Sequence, residues 1–235
     1  MDDIPRESPE AQAVRDRYAR RLAQDPRYSL LNPAALWPMQ ERQRAMLALF
    51  RRLGWHDLST LRLHEVGCGS GSNLVELIQL GFEPANLSGV ELLPERHAQA
   101  RARLPQAVTL AQGDALALSP PSASVHVVLQ STVFSSLLDA AFQQRLAAAM
   151  WAAVKPGGGV LWYDFTVNNP RNPDVRGVPL ARVRQLFPQA RMTARRLTLA
   201  PPIARGVVRL HPALYTLFNA LPLLRTHVLC WLAKT

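Results

Sequence analysis

The chain has 235 residues, of which 48% are hydrophobic and 19% charged, a composition that excludes a disordered or collagen-like polymer. Its formal net charge of +10 is unevenly placed: residues 1–170 carry 16 basic and 16 acidic side chains, whereas residues 171–235 carry 11 basic ones against Asp174 alone. That asymmetry excludes a uniformly basic, ribosomal-protein-like chain, and the length suits one large domain with a terminal extension or a lid.

Only Lys155 and Lys234 are lysines, so the arginine excess is weak evidence of phosphate recognition by itself. Cys68 and Cys230 build neither a disulfide framework nor a metal-ligand spacing. No metal is expected. The start lacks an apolar signal region and no apolar run has transmembrane length, so a cytoplasmic protein is expected.

Ser8-Pro9 reads as an N-cap followed by proline at the first helical position, with Val14, Tyr18 and Leu22 recurring at helical spacing. Asp25-Pro26 is the expected stop. A second helix is expected from near Pro38, with Met46, Leu49, Phe50 and Leu53 on one stripe and Gly54 ending it. Residues 1–60 thus read as a helical extension or cap, ahead of a domain over residues 61–235.

From Leu61 strands and helices alternate. Strands are expected at Leu61–Val66, Leu87–Glu91, Ala107–Ala111, Val125–Gln130 and Val160–Phe165. Helices are expected at Asn73–Leu80 and Pro94–Leu104, with a third capped by Asp139 and ended by Lys155-Pro156-Gly157. This alternation predicts an α/β fold, a parallel sheet with helices on both faces. After Gly177 come a short helix (Pro179–Phe187), a strand (Arg191–Leu199), an apolar helix near Pro212–Leu221 and a last strand (Thr226–Ala233). The last two strands are expected to pair as an antiparallel hairpin at the sheet edge, with residues 200–224 inserted between them like a lid.

The first strand runs into Glu65-Val66-Gly67-Cys68-Gly69-Ser70-Gly71. Glycines here permit a tight turn and let a ligand approach the backbone at a helix N-terminus. A dinucleotide fingerprint would require glycine at position 72, which is Ser72. Glu91 closes the second strand, where a carboxylate can accept both ribose hydroxyl hydrogens. Asp114 follows the third, in Gln112-Gly113-Asp114-Ala115, and Lys155-Pro156-Gly157-Gly158-Gly159 precedes the fifth.

These four matches, in order over about residues 61–165, resemble the class I methyltransferases that use S-adenosylmethionine (SAM). The resemblance implies a Rossmann-like seven-stranded sheet, mostly parallel with an antiparallel last strand, and SAM as cofactor. It implies a cofactor site of Glu65, Gly67, Cys68, Gly69, Gly71, Glu91, Leu92, Gly113, Asp114, Ala115 and Gln130. Asp114 would meet the adenine amino group.

Two departures matter. Val125-His126 stands where the family has Phe-Asp, and His126 reads as a packed structural histidine. The Asn/Asp-Pro-Pro-aromatic run of base-amine methylating enzymes is replaced by Gln130-Ser131-Thr132-Val133-Phe134, which argues against base-amine methylation. Trp162–Gly177, dense in amides, leaves the cleft end of the fifth strand. It is either a loop satisfying its own backbone through Asx turns or an acceptor rim, with Asn168, Asn169, Arg171 and Arg176 binding substrate. This stretch, the helical start and the ending Leu224–His227 also resemble a bacterial methyltransferase subgroup. Base candidates are Asp164, Tyr163 and His211.

A small-molecule or glycan acceptor, anionic and methylated on oxygen, is the leading expectation. RNA or protein methylation through the basic end, and a non-catalytic SAM-binding module, are the alternatives. Nucleic acid lacks support because no aromatics interleave the C-terminal arginines. The apolar helix near Pro212–Leu221 has three roles open to it: closing the core, covering an acceptor, or lying on an anionic membrane surface as a peripheral contact. Oligomeric state is not legible.

Overall fold

Short apolar runs separated by glycine and proline turns become the strands of one sheet. The computed structural model describes residues 8–20, 29–170 and 172–235. Its strands are β1 (Leu63–Val66), β2 (Leu87–Glu91), β3 (Thr109–Gln112), β4 (Val125–Ser131), β5 (Val154–Phe165), β6 (Arg191–Leu199) and β7 (Arg225–Ala233). They lie in the order β3-β2-β1-β4-β5-β7-β6. Neighbours are parallel from β3 through β5, while β7 runs antiparallel to both β5 and β6. The expected Rossmann-like class and terminal hairpin are both present, with the last strand inside the sheet and β6 at its edge.

The strand order reverses direction between β1 and β4, and Val66 is flanked in register by Val90 and Gln130. A ligand crevice opens at such a switch point, beyond the carboxyl ends of the strands. Helices cover both faces. Met46, Leu49 and Phe50 of α2 (Pro33–Arg52) pack with Leu74 and Leu77 of α3 (Ser72–Gln79) and Ala100 of α4 (Pro94–Arg103). On the other face lie Phe142, Leu146 and Met150 of α5 (Ala140–Ala153) and Val183 and Leu186 of α6 (Leu180–Leu186). Asp139 caps α5 as expected, accepting hydrogen bonds from the Ala141 and Phe142 amides.

Four expectations need correction or completion. Helix α2 begins at Pro33 rather than Pro38, because Asn32 caps it by accepting from the Ala34 amide and Pro33 takes the first helical position. Pro38 lies inside, where it forgoes one backbone hydrogen bond. The 200–224 insertion holds two helices, α7 (Pro201–Leu210) and α8 (Ala213–Asn219), where the sequence suggested one. The strand pairing of β5 reaches back through Lys155-Pro156-Gly157 to Val154, across a register shift between Val125 and Val127. Helix α1 (Pro9–Ala19) starts at its Ser8 cap, while Leu22 and the Asp25-Pro26 stop lie outside the described residues.

The insertion is fastened to α2. Leu199, Ala204, Val207 and Tyr215 cluster against Ala34 and Trp37. Glu41 of α2 accepts from the Thr198 amide (2.9 Å), the Tyr215 hydroxyl (3.2 Å) and Asn219 Nδ2 (2.8 Å). Removing the carboxylate strands three donors. The Glu41→Ala variant is expected to lose about 2–3 kcal/mol of unfolding free energy in urea titration, against a small change for exposed Glu83→Ala.

Candidate functional site

The loop after β1 turns back on itself through left-handed glycines. Gly67 has φ +64° and a Cβ there would meet Val133 Cγ2 at 2.6 Å; at Gly71, φ +80°, it would meet Leu104 Cδ1 at 2.8 Å. Only glycine fits both constraints. Helix α3 follows directly, so its first amides face the crevice. Glu91, at the end of β2, braces this loop: Oε2 accepts from the Gly69 amide at 2.8 Å and Oε1 from the Leu93 amide at 2.8 Å. Each oxygen retains a lone pair for a further donor. Leu92 lies between these contacts.

Asp114, after β3 and the positive-φ Gly113, accepts from the Leu116 amide through Oδ1 (2.9 Å) and from the Ser8 hydroxyl through Oδ2 (2.7 Å). Ala115 beside it packs on the α5 side of the sheet. Ser8 belongs to α1, and its Oγ also accepts from the Ala11 amide, so one hydroxyl caps the helix and ties it to the site. Helix α1 also reaches the β4 side, from its first turn through Glu10 and its last through Arg17. Glu10 accepts from the Leu138 amide (2.7 Å) and from Arg17 (2.6 Å), which also donates to the Ser136 carbonyl (2.9 Å). The Arg96 guanidinium lies 4.7 Å from the Tyr18 ring centroid. Helix α1 thus bridges the strand ends.

Beneath the glycine loop runs a buried polar chain. Glu65 accepts from Asn73 Nδ2 at 2.5 Å; Asn73 Oδ1 and Glu76 Oε2 accept from Arg42 Nη2 at 2.7 and 2.6 Å. Arg42 Nη1 donates to Ser131 Oγ at 3.2 Å, at the end of β4. Glu65 is fully buried, its Oε2 has no partner, and burial pushes its pKa up to about 8.

The base candidates separate. Tyr163 points to the α2 face, bonded to Thr198 Oγ1 at 2.7 Å, and burial pushes its pKa up to about 12. Asp164 accepts from the Ser135 amide (3.1 Å) and its neighbour Phe165's amide (2.9 Å), and burial pushes it up to about 7. Exposed His211 accepts from the amide of Ala213, the first residue of α8. Gln130 is buried, donating to the Tyr163 carbonyl (3.3 Å) and accepting from the Val133 amide (3.1 Å), so it shapes the β4 turn. His126 is half-buried and accepts from the Arg62 amide at 2.9 Å, at the opposite end of β4.

In the amide-rich loop, Asn168 Oδ1 accepts from the Gly177 amide, the Asn169 carbonyl from the Asn172 amide, and Asn172 Oδ1 from the Asp174 amide. The Arg176 amide donates to the Ser135 carbonyl, holding this loop beside the β4 turn. Arg171 lies outside the described residues.

Residues 64–158 match the family described as Methyltransferase domain. The chain carries a methyltransferase domain over these residues, on a Rossmann-like sheet. A SAM-dependent methyltransferase from Mesorhizobium loti aligns at TM-score 0.56 and 16% identity, over 80% of this chain and 97% of its own. Phosphoethanolamine N-methyltransferase 2 of Haemonchus contortus, solved with SAM, aligns at TM-score 0.61 and 16% identity, over 94% and 60%. The cyclase SpnF aligns at TM-score 0.60 and 14% identity, over 97% and 98%. Likeness at these identities shows the fold. No curated protein matches the sequence.

The donor set of this methyltransferase domain fits SAM. Glu65 offers an unpartnered buried carboxylate oxygen to a cation, Glu91 has lone pairs left for a diol, and the glycine loop admits a ligand to its backbone. Arg42, Asn73 and Glu76 complete the polar chain, and sequence reading missed them. A signal existed: Arg42 stands four residues before Met46, on the apolar stripe of α2, so it faces inward. A polar group placed there needs partners.

With its pKa near 8, Glu65 is mostly protonated at neutral pH, and a bound cation favours its ionised form. SAM binding at pH 7 should therefore release a proton and tighten as pH rises towards 8. Calorimetry in buffers of different ionisation enthalpy should detect that release, and Glu65→Gln should abolish it.

Proposed function

We propose that this protein transfers a methyl group from SAM to an oxygen of a small-molecule or glycan acceptor. The observation that carries the reading is α1. Pinned at Asp114 on one side and at Ser136 and Leu138 on the other, it encloses the strand ends where the reacting groups would meet. A roof fastened at both ends favours an acceptor that can be enclosed over a long polymer lying in an open groove.

Bound SAM would supply the electrophilic methyl group. In this reading Glu91 holds the ribose hydroxyls, Asp114 the adenine amino group and Glu65 the amino-acid ammonium. The chain's own contribution is alignment and exclusion of water, for which α1 and the β4 turn are placed. Asp164, with its pKa near 7, is matched to accept a proton from a hydroxyl at neutral pH. Both its oxygens already hold backbone amides, which fits a group that also orients the Ser135 turn. The rim beside that turn, with Asn168, Asn169 and Arg176, would receive an anionic part of the acceptor. Methylation of RNA or protein through the basic C-terminal region, and a SAM-binding module without catalysis, are the competing readings.

The test supplies SAM with a panel of sugars, nucleotide sugars and small hydroxylated acids beside RNA and protein, following S-adenosylhomocysteine release. Turnover with a small hydroxylated acceptor supports the reading; turnover confined to RNA or protein, or none with any acceptor, overturns it. Glu91→Ala and Asp114→Ala should each weaken SAM binding about 10- to 100-fold, the range expected for hydrogen bonds to a charged group. Asp164→Asn should flatten the rise of kcat/KM with pH around 7 while leaving SAM affinity within about twofold, far less than a lost charged hydrogen bond would cost.

A further inference from the structure

Eight large hydrophobic side chains are strongly exposed among the described residues, and six belong to one module: Leu30, Leu31, Leu210, Leu217, Leu221 and Leu223. Leu30 and Leu31 lead into α2, whose first turns pack against α7 and α8 through Ala34 and Trp37. On α8, Tyr215 and Asn219 turn inward, so Leu217, half a turn away, faces outward, and Leu221, just past the helix end, is exposed as well. Leu223, in the turn before β7, is 95% exposed, Leu31 96% and Leu210 81%. Single exposed leucines need no explanation, but a concentration on one module marks an interaction surface.

Charge selects the partner. Residues 175–235 contain ten basic side chains and no acidic one. Arg209 is exposed on α7, as are Arg191, Arg195 and Arg196 on the edge strand β6. A second copy of the chain would bring the same positive charge to the same leucines, which disfavours self-association. A nucleic acid would engage the arginines and leave the leucines in water. An anionic bilayer satisfies both, with apolar side chains at the acyl boundary and guanidinium groups among the phosphates. No helix among the described residues is long and apolar enough to cross a membrane, so the contact is interfacial.

We infer that α7, α8 and the Pro222–Leu224 turn dock on an anionic phospholipid surface, the leucines inserting and the arginines binding headgroup phosphates. The contact goes beyond the acceptor assignment and stands or falls separately from it. The full chain should co-sediment with vesicles of phosphatidylcholine and phosphatidylglycerol, and far less with phosphatidylcholine alone. Leu217→Asp with Leu223→Asp should cut binding at least tenfold, and Arg205→Gln with Arg209→Gln should weaken it about fivefold per arginine and more at low salt. SAM affinity by calorimetry should be unchanged in all four substitutions, establishing that the variants are folded. Absence of binding to anionic vesicles overturns the inference, as does binding undiminished by the leucine substitutions. It is equally overturned if the wild type self-associates through these leucines and the variants become monomeric without any vesicle contact.

Discussion

Two adjacent side chains on α2 join the parts of this molecule. Glu41 turns to the C-terminal module and accepts from Thr198, Tyr215 and Asn219; Arg42 turns to the cofactor side and donates to Asn73, Glu76 and Ser131. Neither is a cheap device. A buried ion pair such as Arg42–Glu76 gives up hydration worth several kcal/mol per ion, and its attraction offsets this only with good geometry and further hydrogen bonds. Arg42 has both. The planar fork of guanidinium donors suits a residue that must hold three partners at fixed angles. The pair therefore sets orientation more than stability: α2 cannot shift without breaking bonds to both the insertion and the helix that opens the glycine loop.

That constraint explains why the polar chain ends where it does. Asn73 lies between Arg42 and Glu65, donating to one carboxylate through its nitrogen while accepting from the guanidinium through its oxygen. Glu65 is left with one oxygen partnered and one bare in a fully buried place, and its pKa rises to about 8. Arg42 is close enough to favour the ionised form but its charge is shared with Glu76, so burial prevails. A carboxylate held in this unfinished state is poised for a cationic ligand, which is the electrostatic counterpart of a cradle lined with glycine.

Much of this was legible in the sequence because it depends on local chemistry. Glycines at 67, 69 and 71 appear as left-handed residues, Glu91 and Asp114 stand at the ends of their strands, and Asp139 and Ser8 cap their helices. Such features depend on a few neighbours and leave a mark at fixed spacing. The α2 start was misplaced because Pro38 looked like a beginning, while Asn32-Pro33 supplied the real cap. Helix α7 was invisible because a proline pair and Gly206 interrupt its pattern. The long-range bonds could not be read at all: Ser8 to Asp114 spans 106 residues and Glu41 to Asn219 spans 178. No periodicity encodes such partners.

The Ser8 contact carries a consequence for how the cleft is closed. A carboxylate oxygen has two lone pairs, so Asp114 Oδ2 can accept from Ser8 and from a ligand amino group together. In the proposed site, roof and adenine would then share one acceptor, and neither need displace the other. The same helix is fixed to the β4 side by the buried Glu10–Arg17 pair, Glu10 from its first turn and Arg17 from its last. Its two anchors therefore stand on opposite sides of the switch point between β1 and β4. Its first turn is held on both sides at once, by Ser8 to Asp114 and by Glu10 to the Leu138 amide, and its last turn likewise, by Tyr18 against Arg96 of α4 and by Arg17 to the Ser136 carbonyl. With each end of α1 tied to both sides of the crevice, admitting ligands would mean lifting the helix as a unit rather than hinging it at one end.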